Sequence, residues 1–270
     1  DFHARVAIAP GSSSDRGMSR FEPRDPFPLQ AQFSASEARD HAVEVDRWLG
    51  LRVDAIELSL ARQGSREPAP STSGDKHQLW FGLSPRDLLT PYLEIRRSLA
   101  SLALVPGMTV VDLGAAYGRM GFVLHRHEPG VRFLGYEYVG ERVREGRRAL
   151  DRFGAALAEL HHADLTSPDL CLPSADVYFI YDYGTPKAIE KTLYDLKRAS
   201  SKKPVTIVAR GRACRYAIES RHPWLSKVDP LAPEAAITIY RSSGNAVEAA
   251  VQDGVKVIDR RKRARHDRDL

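Results

Sequence analysis

The stretch Val110-Val111-Asp112-Leu113-Gly114-Ala115-Ala116-Tyr117-Gly118-Arg119-Met120-Gly121 runs from an apolar segment through a turn of small residues into a segment of helical periodicity. Small residues at such a turn let backbone N–H groups approach a ligand, and the amino terminus of the following helix adds a positive dipole end. The stretch therefore predicts a strand, a ligand-binding turn and a helix, in that order.

The spacing of the glycines distinguishes between two kinds of nucleotide ligand. The dinucleotide fingerprint is G-x-G-x-x-G, whereas Gly114, Gly118 and Gly121 are spaced G-x-x-x-G-x-x-G. Asp112 precedes the first glycine by two residues, and a carboxylate there would repel a pyrophosphate but attract a ligand with an ammonium and a sulfonium. This charge pattern favours S-adenosylmethionine (SAM) over NAD and disfavours an NAD-dependent oxidoreductase.

Short apolar runs alternate with polar segments of helical periodicity after Gly107, which is typical of strand–helix units around a parallel sheet. Strands are predicted at 109–113, 131–137, 158–164, 176–182 and 205–209, with further candidates at 235–240 and 255–258. Helices are predicted at 118–127, 141–153, 186–199 and 212–220, and one or two amphipathic helices between 34 and 63.

The quoted stretch resembles motif I of the class I (seven-strand, Rossmann-like) SAM-dependent methyltransferases, whose pattern is (D/E)-x-G-x-G-x-G. Asp112, Gly114 and Gly118 match, and Ala116 stands where the family has its middle glycine. The resemblance extends over about residues 84–243. It implies an α/β fold, a Rossmann-like seven-stranded mostly parallel sheet flanked by helices with a helical N-terminal extension, and S-adenosyl-L-methionine as the cofactor.

Two acidic residues follow in the order of the family. Glu137 ends the second predicted strand, where the resemblance implies an acid that binds the ribose hydroxyls, and Asp164 ends the third, where it implies an acceptor for the adenine amino group. An exposed strand-end acid and a turn cap are the respective structural alternatives. The cofactor-binding residues that the resemblance implies are Asp112, Gly114, Ala116, Tyr117, Gly118, Glu137, Tyr138, Asp164, Leu165, Asp182 and Tyr92.

The loop after the fourth predicted strand, Tyr181-Asp182-Tyr183-Gly184-Thr185-Pro186, faces the methyl group in this family. Members that act on exocyclic amines or amides often carry (N/D)-P-P-(Y/F) there, and this chain differs. Asp182 and Tyr183 are the catalytic candidates, with structural roles as the alternative. A lysine acceptor with an ordinary pKa near ~10.4 needs that pKa lowered by an apolar channel or its proton taken by water or a carboxylate, and Asp182 is the candidate carboxylate.

The layout also resembles, more distantly, the seven-strand (non-SET) histone-lysine methyltransferases, in which an aromatic channel admits the lysine. Candidates for such walls are Trp80, Phe81, Tyr92, Tyr181 and Tyr183. The resemblance implies methyl transfer to a protein side chain, a lysine amine, with a small molecule or RNA as the alternative acceptor. A catalytically inactive SAM-binding-like adaptor module is the second alternative, which Ala116 and the altered loop favour.

The composition of the chain excludes several classes of protein. The 270 residues are 43% hydrophobic and 28% charged with a net charge of +5, which excludes disorder throughout. No apolar run approaches the ~18 residues of a membrane helix, and the first residues lack a secretory signal pattern. Two cysteines are too few for a disulfide framework or a cysteine zinc cage, and no metal site is predicted. We expect a cytoplasmic protein without a membrane partner.

Four segments are predicted along the chain. Residues 1–34, interrupted by prolines, form an irregular arm; 35–83 a helical extension and linker; 84–245 the SAM-dependent methyltransferase domain; and 246–270 a C-terminal segment with a basic tail. The tail, rich in arginine over 259–270, would suit a nuclear address in a eukaryote. The sequence indicates no oligomeric state.

Overall fold

The computed structural model of the chain describes residues 21–64, 89–228 and 237–242. Several sequence predictions lie outside these residues: the first part of the arm, most of the linker, the channel candidates Trp80 and Phe81, the strand at 255–258 and the basic tail.

The described strands form a single seven-stranded sheet. They are β1 (Thr109–Leu113), β2 (Arg132–Glu137), β3 (Ala158–His162), β4 (Val177–Tyr181), β5 (Thr206–Arg210), β6 (Leu225–Val228) and β7 (Thr238–Ser242). Their order across the sheet is β3-β2-β1-β4-β5-β7-β6. The first five are parallel, and β7 is antiparallel to both of its neighbours. The predicted Rossmann-like, mostly parallel seven-stranded α/β fold is confirmed.

Seven described helices surround the sheet: α1 (Ala35–Leu49), α2 (Val53–Gly64), α3 (Tyr92–Ala100), α4 (Arg119–His127), α5 (Gly140–Phe153), α6 (Pro186–Ser200) and α7 (Arg212–Arg221). Their boundaries follow local chemistry. A capping box of Ser34 and Glu37 begins α1, and left-handed Gly50 ends it. Thr185 accepts the N–H of Ala188 at the start of α6, as its place before a proline indicates.

The central parallel strands β1, β4 and β5 have buried residues on both of their faces, because successive side chains along a strand point to opposite sides of the sheet. On one face, Val110 and Phe133 pack with apolar residues of α1 to α5. On the other, Val111 and Leu134 pack with α6 and α7. The amino-terminal helices α1 and α2 therefore share a hydrophobic core with the sheet.

Two features of the fold differ from the sequence predictions. Phe27, within the predicted arm, is fully buried and packs 5.3 Å from the ring of Tyr92, so the described part of the irregular segment is anchored in the core. The short strand β6 was not predicted, since its four residues alternate too briefly to mark a strand. It exists because β7 offers an antiparallel edge to pair with.

Candidate active site

The order of the strands reverses between β1 and β4. From β1 the sheet continues through β2 and β3 in one direction, and through β4 and β5 in the other. In open α/β sheets, ligands bind in the crevice outside the carboxyl ends of the strands at such a switch point. The turn that leaves β1 and the loop that leaves β4 both lie here, which makes this edge the candidate site.

The turn after β1, residues 114–118, is held in an unusual backbone conformation. Gly114, Ala116 and Gly118 all have left-handed φ angles, of 88°, 47° and 72°. The N–H groups of Gly114 and Ala115 both donate to the carbonyl of Tyr136 at 2.9 Å, which ties the turn to β2. The position where the family resemblance has a glycine thus keeps a glycine-like conformation although alanine occupies it.

Gly114, Gly118 and Gly121 pack against different parts of the structure. A Cβ on Gly114 would lie 2.8 Å from Cβ of Tyr183, so the turn after β1 touches the loop after β4. A Cβ on Gly118 would meet Leu150 at 3.3 Å, and one on Gly121 would meet Phe133 at 2.9 Å. Gly114 therefore belongs to the crevice, whereas Gly118 and Gly121 permit the close packing of α4 on the core.

Glu137, at the end of β2, joins two backbone segments. Its Oε2 accepts the N–H of Ala116 at 2.9 Å and its Oε1 accepts the N–H of Val139 at 2.8 Å. The residue is 6% exposed. A carboxylate offers about four lone-pair sites, so these two bonds leave acceptor capacity for the hydroxyls of a ribose.

Asp112 is the second carboxylate at this edge. Burial, together with the nearby charge of Glu137, raises its pKa from 3.8 to about 7. The ion pairs between described residues do not include Asp112. A half-buried carboxylate with a raised pKa and no protein cation among the described residues is suited to a positively charged ligand.

The loops after β2 and β3 bring the remaining adenosine candidates to the same edge. The N–H of Ala163 donates to the carbonyl of Glu137 at 2.9 Å, which joins the two loops. Oδ1 of Asp164 accepts both the N–H and the hydroxyl of Thr166, at 2.8 and 2.6 Å, as in a turn cap. Tyr138 is 40% exposed, and Leu165 is buried.

The side chains of Tyr92 and Tyr117, two of the predicted cofactor-binding residues, bond to acidic residues of the amino-terminal helices. Both are fully buried. The hydroxyl of Tyr92 donates to Asp46 at 2.7 Å, and that of Tyr117 donates to Glu57 at 2.7 Å. Tyr92 therefore belongs to the core beneath α1, and Tyr117 can border the crevice only through its backbone.

Asp182 and Tyr183, the catalytic candidates, both make structural contacts in the loop after β4. Asp182, at φ 34°, accepts the N–H of Cys214 at 2.8 Å and that of Ala213 at 3.1 Å, so its carboxylate caps the amino terminus of α7. The hydroxyl of Tyr183 bonds to that of Thr192, and burial raises its pKa. These contacts hold the loop in place, and the catalytic roles of Asp182 and Tyr183 stay predictions.

A cavity of about 270 Å³ lies beyond the loop after β4. Its lining residues come from the ends of β4 and β5, from α1, and from α3 with the segment before it: Ala35, Arg39, Leu89, Thr90, Pro91, Glu94, Tyr181, Asp182, Arg210 and Gly211. Of the aromatic residues proposed for a lysine channel, Tyr181 lines it.

Arg210 organises one wall of this cavity. Its Nη2 lies 2.6 Å from Oε2 of Glu94, its Nη1 donates to the hydroxyl of Thr90 at 3.3 Å, and its guanidinium lies 5.6 Å from the ring centre of Tyr181. Arg39, Glu94 and Arg210 line the cavity but were not predicted as site residues from the sequence. A signal existed only for Arg210, which follows a predicted parallel strand and therefore lies at its carboxyl edge.

The described residues lack two further features, a cluster of metal ligands and a membrane-spanning helix. No group of three or more histidine, cysteine, aspartate or glutamate side chains there is arranged to hold a metal ion. None of the described helices has the length and apolar character needed to cross a membrane.

No protein-family profile and no curated protein sequence matches the chain. Several solved structures resemble it. An RNA methyltransferase from Salinibacter ruber, in complex with S-adenosyl-L-homocysteine, is 24% identical over 57% of this chain and 92% of its own, with a TM-score of 0.43. Precorrin-6y C5,15-methyltransferase from Geobacter metallireducens is 17% identical over 60% of this chain and 92% of its own, with a TM-score of 0.44.

TrmN from Thermus thermophilus is 16% identical over 57% of this chain, with a TM-score of 0.42. The chain spans about half of that protein, 49% of its length. These similarities are at the level of the fold.

Proposed function

We propose that this protein is a SAM-dependent methyltransferase. The observation that carries the proposal is Asp112, a carboxylate with a raised pKa at the switch point of the sheet, outside the ion pairs of the described residues and beside a left-handed turn. A cationic nucleoside would supply the positive charge that no ion pair among residues 21–64, 89–228 and 237–242 gives this carboxylate. An anionic dinucleotide would add a second negative charge instead.

The residues of the crevice fit the parts of SAM. Asp112 would attract the ammonium and sulfonium charges, while the turn of Gly114 and Ala116 allows close approach of the ligand to the backbone. Glu137 would accept the ribose hydroxyls. Tyr138 and Leu165 would flank the adenine, and Asp164 would accept its amino group.

Bound SAM would supply a methyl group on a sulfonium, which leaves as a neutral thioether when the acceptor attacks in line. The protein must then align the acceptor and provide for the loss of its proton. Such a reaction needs no obligatory pair of catalytic side chains, so the structural roles of Asp182 and Tyr183 are compatible with it. Alignment would come from the cavity beyond β4, adjacent to the crevice through Tyr181 and Asp182.

For the acceptor, a protein lysine is the hypothesis from the sequence, with a small molecule or RNA as the alternative. The cavity lining includes Arg39, and it includes Arg210 and Glu94, which form an ion pair with each other. Asp182, also in the lining, accepts N–H groups at the start of α7. The lining thus carries two guanidinium groups and two carboxylates, so its charge is compatible with each of these acceptor classes. The labelling experiment below distinguishes them.

Calorimetric titration with SAM and with S-adenosylhomocysteine tests the cofactor. We expect both to bind, and Asp112→Asn to weaken SAM binding on the order of 10-fold, as expected for one lost charge contact. Asp176→Asn is the control, since Asp176 accepts the N–H of Thr109 at the opposite end of β1, at 2.8 Å. Binding of neither compound would refute the proposal, whereas binding of NAD would support the oxidoreductase.

Transfer of a tritiated methyl group into fractionated lysate tests the acceptor. Label in protein hydrolysates as methyl-lysine would support the lysine hypothesis, and label in RNA or in the small-molecule fraction would support the alternative. SAM binding without transfer to any fraction would favour the inactive adaptor module. The left-handed Ala116 and the structural use of Asp182 are the observations that keep this second candidate.

A further inference from the structure

The end of the turn after β1 and the first residue of α4 each contact an acidic residue of an amino-terminal helix. Glu57 on α2 accepts the hydroxyl of Tyr117 at 2.7 Å, and Asp46 on α1 accepts Nε of Arg119 at 3.2 Å. Both acids are buried, and their partners stand on either side of Gly118. The helical extension is thus bonded directly to the segment that we propose to hold the cofactor.

Glu57 has a second partner, Arg142 on α5. Arg142 donates through Nε and Nη2 to the two oxygens of Glu57, at 2.8 and 2.9 Å. Its Nη1 lies 3.7 Å from Oε1 of Glu137. The three side chains are only 13%, 8% and 7% exposed, so water screens their charges weakly. One guanidinium therefore lies between two buried carboxylates and is bonded to Glu57.

This arrangement determines which groups Glu137 can bind. Its two oxygens accept the N–H groups of Ala116 and Val139, and the remaining capacity is what a ribose would use. A forked guanidinium–carboxylate pair is stronger than hydrogen bonds between neutral groups. Without the charge of Glu57, Arg142 would turn to Glu137 and occupy oxygens that the turn and the ribose require.

We propose that Glu57 is a positioning residue for the cofactor site: it fixes the turn through Tyr117 and holds the guanidinium of Arg142 in hydrogen bonds that would otherwise form with Glu137. This inference rests on the proposed function, because it concerns the affinity of the same site for SAM. Glu57 lies outside the crevice and belongs to α2, so the amino-terminal helices act in cofactor binding and not solely in the stability of the fold.

The test compares SAM binding by the full chain and by Glu57→Gln, with the melting temperature of each measured in parallel. We expect Glu57→Gln to raise the Kd for SAM on the order of 10-fold, as for the loss of a charge-assisted contact. If methyl transfer is measurable, the KM for SAM should rise and kcat at saturating SAM should remain unchanged. Tyr117→Phe, which removes one hydroxyl, should weaken binding by a smaller factor and serves if Glu57→Gln does not fold.

Glu145→Gln is the matched control. Like Glu57, Glu145 is buried, but it lies on α5. Its Oε2 lies 2.6 Å from Nη2 of Arg52, between α1 and α2, so it too links the amino-terminal helices to the rest of the fold. Its partners Arg52 and Arg148 do not contact the turn after β1. We expect Glu145→Gln to lower the melting temperature and leave the Kd for SAM unchanged. Equal Kd values for the wild type, Glu57→Gln and Glu145→Gln would overturn the inference.

The double variant Glu57→Gln, Arg142→Met separates positioning from simple destabilisation. If freed Arg142 is what blocks Glu137, removing it should restore part of the SAM affinity that Glu57→Gln loses. A double variant that binds SAM more weakly than either single variant would overturn the inference. Failure of the wild type to bind SAM in the same titration would refute the proposed function itself, and the two failures are thereby distinguished.

Discussion

The carboxylate of Glu137 accepts the N–H of Ala116 at 2.9 Å and so joins the end of β2 to the turn after β1. Ala116 is left-handed, and the other left-handed residue that is not glycine in the described part of the chain is Asp182, after β4. Both are held by carboxylate–backbone hydrogen bonds at the switch point. Backbone strain of this kind concentrates at functional sites, where surrounding bonds offset its cost.

Replacing Ala116 by glycine should relieve strain. A left-handed conformation costs an alanine about 1 kcal/mol, partly offset by the greater freedom of glycine in the unfolded chain. We expect Ala116→Gly to raise the midpoint of urea unfolding slightly and to preserve SAM binding, because the N–H that Glu137 accepts remains. Ala116→Val, a branched residue at the same φ, should lower the midpoint. A lower midpoint for the glycine variant would show that the left-handed conformation does not strain Ala116.

Gly114 can be tested against a glycine with the same backbone angle. Gly114 and Gly107 have φ of 88° and 90°, but a Cβ at Gly107 would meet nothing within 4 Å, whereas one at Gly114 would clash with Tyr183. Both alanine variants should lose about 1–2 kcal/mol from backbone strain. Gly114→Ala should lose more, together with SAM affinity, as measured by urea unfolding and calorimetry. Equal losses would show that the contact with Tyr183 is unimportant.

The raised pKa of Asp112 predicts pH-dependent cofactor binding. With a pKa of about 7, the group is mostly protonated at pH 6 and mostly ionised at pH 8. Because a cationic ligand requires the ionised form, the affinity for SAM should increase about 10-fold from pH 6 to pH 8. Calorimetry across this range measures it. Asp112→Asn should bind SAM weakly and without this pH dependence, and a flat profile for the wild type would contradict the assignment.

The raised pKa of Asp112 also makes the stability of the fold depend on pH. The folded chain holds the proton of Asp112 more tightly than the unfolded chain, so this group lowers stability progressively as pH rises from about 4 through about 7. Asp112→Asn should therefore raise the melting temperature, by more at pH 8 than at pH 5. Thermal unfolding at the two pH values checks this, and a melting temperature lowered at pH 8 would show that the carboxylate stabilises the fold.

Asp182 should affect stability more than chemistry. Asp182→Ala removes both bonds to the start of α7 and should cost about 1–2 kcal/mol, while methyl transfer per folded molecule remains. Thr185→Ala is the matched control, because it removes the side-chain cap of another helix, α6. Unfolding curves and single-turnover rates measure the two effects. A rate reduced 100-fold at unchanged stability would instead support the predicted catalytic role of Asp182.

Most of the sheet and its helices could be predicted, because buried parallel strands and amphipathic helices leave local periodic patterns. The first five strands and the helices 119–127, 140–153, 186–200 and 212–221 lie within two residues of their predicted positions. The roles of individual side chains were harder to predict from the sequence. Asp182 follows β4 as expected, yet its partners at Ala213 and Cys214 are contributed by a helix 31 and 32 residues later. No local pattern encodes that distance.

The sequence by itself determined the α/β fold, the turn after β1, the acids near the carboxyl ends of β1 and β2 and the acid after β3, since periodicity and residue order are local properties. Only the tertiary structure decided which side chains remain available in the crevice. It directed Tyr92 and Tyr117 to Asp46 and Glu57, and it brought Arg210 to Glu94 at 2.6 Å. The physical reason is that a buried polar group must find a partner, and that partner is set by packing between distant segments.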